Sequence, residues 1–177
     1  MSNPAIPRDI VHLHAEACSD AGDAFQSTAA RLIKRQRRLS RYFEQNGEPL
    51  GPIATQVAIY MLSVCIRVFD QVGGRMRKVT GADIAAAQAR VEAHVASLMP
   101  ADGSLNERAK AIEGRAQPHL LDEVLWALYE RNDEETKEDE QSFDPQMSAL
   151  MYILLWTAVE ALDSCWSAPA DVGGAEA

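Results

Sequence analysis

Near its C-terminal end the chain carries two carboxylates, Glu160 and Asp163, one helical turn apart among large apolar side chains in PQMSALMYILLWTAVEALDSCW (145–166). A charge in that setting must be paired, or it carries a penalty of several kcal/mol. Arg67 lies in the other long apolar stretch, 53–72, and is the expected partner of Glu160. The first expectation for this pair is a buried salt bridge. The chemical alternative is a seam in which Arg67 binds an anion or a carboxylate beside Glu160 and Asp163.

Other spacings that could support chemistry are weaker. His12 with Glu16 and His119 with Glu123 are four residues apart, so each pair shares one helical face and could ligate a metal. A helical di-iron site also needs Glu-x-x-His pairs, and the sequence has none. Both His/Glu pairs fall on outward faces, whereas His14 and Cys18 point to the core. Cys18, Cys65 and Cys165 are odd in number and lack metal-like spacing, which predicts free thiols and a reducing compartment. Phosphate-binding and nucleophile-elbow glycine motifs are missing, and the Gly73-Gly74-Arg-Met-Arg-Lys loop matches no known spacing. The expectation is therefore no metal and no cofactor, with the catalytic residues, if any, unknown.

One pattern resembles a known family. Glu135-x-x-Glu138 followed by Glu160-x-x-Asp163 is similar to the Glu-x-x-Glu…Glu-x-x-Asp magnesium signature of all-helical nucleotide pyrophosphohydrolases of the MazG type. The resemblance implies a metal-dependent nucleotide hydrolase with these four carboxylates converging. The sequence departs from that pattern in placing the first motif in a polar tract, outside any apolar-periodic helix.

Three surfaces are candidates for binding. In 118–130 the apolar face is Leu120, Leu121, Val124, Leu125 and Leu128; opposite stand His119, Asp122, Glu123, Trp126 and Glu130. A large aromatic among acids is what a binding surface for a basic partner looks like. In 53–72 a polar seam of Gln56, Tyr60, Ser63, Arg67 and Asp70 recurs at intervals of four, three, four and three, and is either the solvent edge of that helix or a subunit interface. The run RLIKRQRRLSRYF places Arg31, Lys34, Arg35, Arg37, Arg38 and Arg41 on the back of an amphipathic helix whose front is Phe25, Leu32, Gln36, Leu39 and Phe43. These cations meet water, the acidic tract Glu130–Glu140, or nucleic acid, in that order of expectation.

The elements that must position these groups are helical. A first helix is expected over 8–45 with a kink at Gly22, a second over 53–72, and others opened by Thr80, Ser104, Pro118 and Asp144. Five or six helices in one all-α domain follow, the second and last being central: an irregular arm at 1–7, a helical domain at 8–167 and a flexible tail at 168–177. The formal net charge of -9 argues against nucleic-acid binding by the surface as a whole, while leaving room for a local cationic site. No secretory signal is visible, so a cytoplasmic protein with no membrane span is expected. The expected function is non-catalytic: a helical protein-binding or adaptor protein, or one that neutralises its partner, using the acidic face around Trp126, with homodimerisation through the seams. The alternative is a ligand binder or nucleotide hydrolase using Arg67, Glu160 and Asp163; nucleic-acid binding through Arg31–Arg41 is third.

Overall fold

The expected first helix is divided into three. In the computed structural model, which describes residues 3–130 and 143–172, α1 spans Arg8–Ala21, α2 Phe25–Arg35 and α3 Arg37–Asn46. Gly22 (φ 53°) breaks the first junction, followed by one 3-10 turn over Gly22–Ala24. The second break is at Gln36, whose backbone leaves the helical region (φ -115°, ψ 52°). Leu32, Gln36, Leu39 and Phe43 are all buried, so the kink preserves the apolar register. The glutamine among them is satisfied: its Oε1 accepts from Val79 N (2.9 Å) and its Nε2 donates to Arg77 O (3.2 Å).

α4 spans Gly51–Val72, with Pro52 in its first turn, where a missing N–H costs nothing. It ends at Gly73 and Gly74, both at positive φ. The chain then forms a short strand, β1 (Arg75–Met76), antiparallel to β2 (Trp166–Ser167), and Trp166 Nε1 donates to Gly73 O (2.8 Å). α5 (Gly81–Leu98) opens on the expected capping box: Thr80 N donates to Asp83 Oδ2 and Asp83 N to Thr80 Oγ1. Arg77 forks onto both oxygens of Asp83 and holds that carboxyl well below the usual carboxylate range.

α6 is short, Leu105–Lys110, and lacks the expected capping box at Ser104. Ser104 already has helical backbone angles, so its hydroxyl is badly placed; Asp102 Oδ1 instead accepts from Ser104 N and pairs with Arg108. α7 (Pro118–Leu125) runs into a π-helical turn at Trp126–Glu130. α8 (Pro145–Cys165) starts at Asp144, whose side chain accepts from Met147 N as expected for an N-cap.

α8 is the axis of an all-α fold. Nearly every residue from Ser148 to Asp163 is buried, and α5, α4 and α7 pack around it, with α1, α2 and α3 against α4. His94, Trp156 and Tyr152 stack as a column within it, at centroid separations of 5.8 and 5.7 Å. The arm contributes Ile6 to the core, and Val172 in the expected tail is buried as well; residues 173–177 lie outside the described ones. The segments Glu48–Val72 and Pro145–Cys165 are long and apolar enough to cross a membrane by composition, and most of the latter is buried in the protein.

Gly74 is the tightest backbone contact. It sits at φ 79°, and a Cβ there would lie 2.3 Å from Ser167 O. Gly74→Ala is expected to destabilise the fold by about 1–3 kcal/mol. Urea unfolding followed by circular dichroism reads this directly, and an unchanged midpoint contradicts the proposed crowding.

Candidate binding groove around Trp126

The buried carboxylates of α8 are satisfied by partners other than the expected one. Glu160 Oε1 accepts from Ala116 N (3.0 Å) and Trp156 Nε1 (3.2 Å), while Oε2 faces Arg90 Nε (3.2 Å) from α5. Arg67 does not reach Glu160. It lies on the far side of α4 and pairs with Asp70 within its own helix (3.2 Å). Its charge is felt there by His14, whose pKa is lowered by burial first and Arg67 second.

Asp163 Oδ1 accepts from Gln117 Nε2 (2.9 Å) and, at 3.4 Å, from Asn3 Nδ2. Burial pushes its pKa up and neighbouring Glu160 adds to the shift, while Gln117 and Asn3 oppose it. Each carboxylate thus has its own donors. Among the described residues no group of three or more His, Cys, Asp or Glu side chains could hold a metal, and Glu135 and Glu138 lie outside those residues.

The polar seam of α4 is mixed. Gln56, Tyr60 and Asp70 are exposed, Arg67 is half-buried, and Ser63 is buried with its hydroxyl donating to Tyr60 O. All six residues of the cationic face, Arg31, Lys34, Arg35, Arg37, Arg38 and Arg41, are exposed. Of the acidic tract only Glu130 is described, and it pairs with Lys110 (3.3 Å) and accepts from Asn106 (3.0 Å).

The acids around Trp126 are where the sequence puts them, on the outer side of α7, but that side is not open water. α1 packs against it. Arg8 reaches Asp122 (3.4 Å), and His12 Nδ1 lies 3.2 Å from Glu123 while its Nε2 faces Glu16 (3.7 Å). Asp122 also takes the buried guanidinium of Arg115 (3.0 Å). Of the two expected His/Glu pairs, His12 keeps Glu16 and adds Glu123 across helices, whereas Glu123 is taken from His119, whose Nδ1 is buried without a hydrogen-bond partner among the described residues.

Trp126 stands at the junction, 40% exposed, with a cavity on each side. The smaller, about 220 Å³, lies beside Trp126 among the side chains of Arg8, Lys110, His119, Asp122 and Glu130. The larger, about 290 Å³, opens between α1, α4 and α7. Its floor is Met61, Val64, Leu120 and Val124, its rim holds His12, Glu16, Asp20 and Glu123, and among the described residues no Lys or Arg lines it. Tyr60 faces Trp126 from the other wall and packs edge-on against Phe25 (5.9 Å). Cys65 reaches the floor, where burial pushes its thiol up to about 12, so it is uncharged at neutral pH.

Arg90, Gln117, Asn3 and the α1 side chains over α7 have no signal of spacing in the sequence, because their partners are far away along the chain; Arg115 meets Asp122 seven residues on, but from the connection outside α7, where no helical spacing applies. No protein-family model, curated protein or solved structure matches this chain, so the site stands on its own geometry.

The shift at Asp163 has a sign. A carboxyl whose folded pKa is raised stabilises the fold fully below its ordinary value of 3.8, and that contribution is lost as pH rises through the folded value. Asp163→Asn keeps an oxygen for Gln117 and cannot ionise. Its stability relative to the wild type is expected to improve as pH is raised from about 4 toward neutrality. Parallel stability–pH curves for the two proteins would contradict this.

Proposed function

We propose that the protein is a non-catalytic cytosolic binding protein that captures a basic segment of a partner protein in the groove between α1, α4 and α7. The observation that carries this reading is the larger cavity beside Trp126: three acids on its rim, two of them bridged by His12, an apolar floor and, among the described residues, no Lys or Arg in its lining. A lysine or arginine from the partner enters over the exposed indole face, where a cation gains about 0.5–2 kcal/mol. Its charge is met by Glu16, Asp20 and Glu123, and an apolar neighbour settles on Met61 and Val64. Trp126 is the kind of residue that anchors an interface, being large, rigid and central to the opening. The π-helical turn supports the same reading, since such turns re-aim a side chain at functional sites.

The test uses two synthetic peptides, one alternating lysine and leucine, the other alternating glutamate and leucine. Trp156 and Trp166 are buried, so Trp126 is the indole that an external quencher reaches most readily. The basic peptide is expected to bind and to protect Trp126 from iodide quenching; the acidic peptide is not. Trp126→Ala combined with Glu123→Gln is expected to weaken binding, measured by calorimetry, about 10–30-fold. Equal affinity for both peptides, or for wild type and variant, would falsify the assignment.

A further inference from the structure

A second surface carries the opposite charge. From Phe25 to Phe43 the chain contains no acid, and its six cations, five of them arginines, are all exposed on the outer side of α2 and α3. The kink at Gln36 does not scatter them, because Leu32, Gln36, Leu39 and Phe43 stay buried on the inner side of both helices. The same glutamine pins the 77–79 loop beside them and brings in a seventh cation: Lys78 and Arg35 line one cleft of about 310 Å³. Of these seven cations only Arg35 has an acid of the described residues within ion-pair distance, Asp70, at 4.0 Å.

We infer that this face binds the phosphodiester backbone of duplex nucleic acid. Its lack of other features selects that partner. The exposed large apolar side chains of the described protein are Leu13, Ile53, Tyr60, Met99 and Trp126, and none is on α2 or α3. A protein partner wants an apolar centre to its interface, and a membrane surface wants apolar side chains to bury. A single strand wants exposed aromatics for stacking, and here Tyr42 is half-buried. A duplex backbone asks only for cations in a row. Arg31 to Arg35 on α2 and Arg37 to Arg41 on α3 each cover about 6 Å of helix axis at 1.5 Å per residue, and a duplex presents a phosphate charge every ~1.7 Å of its axis. Guanidinium groups suit this task because their fork takes two phosphate oxygens at once.

The net charge of -9 does not cancel the local field. The Debye length is about 10 Å at 0.1 M salt, so acids on the far side of the molecule are screened while the cations under the duplex are not. Binding is then sequence-independent and strongly salt-dependent. This face is separate from the groove at Trp126, and neither assignment depends on the other.

Fluorescence anisotropy with a labelled mixed-sequence duplex of about 20 base pairs tests it, starting at about 50 mM salt. The full chain is expected to bind with a slope of log affinity against log salt between about -3 and -6. The triple variant Lys34→Gln, Arg38→Gln, Arg41→Gln touches only exposed side chains, and its unfolding midpoint checks that the fold is kept. It is expected to lose at least about tenfold in affinity and to flatten the slope by roughly three. The Trp126→Ala, Glu123→Gln variant is expected to bind the duplex as the wild type does. No binding at the lowest salt, or unchanged binding by the folded triple variant, overturns the inference. So does equal competition, charge for charge, by poly-glutamate, by phosphatidylserine vesicles or by a single strand.

Discussion

Two carboxylates buried on one helix organise this protein. α8 is the axis of the fold, and Glu160 and Asp163 sit on it where water cannot hydrate them. An unpaired charge there would cost several kcal/mol, so the surrounding chain is arranged to supply donors. α5 brings Arg90, the α6–α7 connection brings the Ala116 amide and the Gln117 side chain, and the N-terminal arm brings Asn3. Gln117 takes on a left-handed backbone (φ 47°), a strained state for a residue with a Cβ. That strain is offset by three hydrogen bonds of its side chain, to Asp163, Pro4 O and Ile6 N. Through them the arm, the start of α7 and the end of α8 are held as one unit.

The groove at Trp126 follows from that clamp. Once Gln117 fixes the start of α7 and Ile6 anchors the arm, α1 lies across the polar side of α7. Arg115, next in the same connection, is almost wholly buried and reaches Asp122 and Tyr152, so one side of the acidic face is tied inward. What remains for a partner is the opening toward α4, with Glu16, Asp20 and Glu123 around an apolar floor.

Charge is segregated on a larger scale by the broken first helix. Acids dominate α1 and its turn, while cations fill α2 and α3. Were the three segments one straight helix, that sequence order would only complement the helix dipole. The breaks at Gly22 and Gln36 let the three segments change direction while each still packs on α4, so that α1 also packs on α7 and Gln36 between α2 and α3 bonds the 77–79 loop. The molecule therefore presents two surfaces of opposite sign.

Most of the fold was legible from local patterns. The apolar face Phe25–Leu32–Leu39–Phe43, the central apolar helices, the Thr80 capping box and the Asp144 cap are all set by neighbours within a turn or two. That is why the all-α fold and the exposed cations follow from residue spacing alone. The failures have two causes, long-range packing and one local competition. Glu160 needed a partner, and the sequence could say that much, but choosing Arg90 over Arg67 depended on which side of α8 faces α5. The capping box at Ser104 was lost to Asp102, a competition between two nearby side chains that only backbone angles decide. The covering of α7 by α1, and the cavity left between them, required contacts more than a hundred residues apart. By itself, then, the sequence determined which residues are helical, which faces are apolar and that buried charges must be paired, because those are short-range energies. Which cation meets which acid, and where the acids stay open to a partner, was decided by tertiary packing, because pairing across helices depends on their relative placement and not on spacing along the chain.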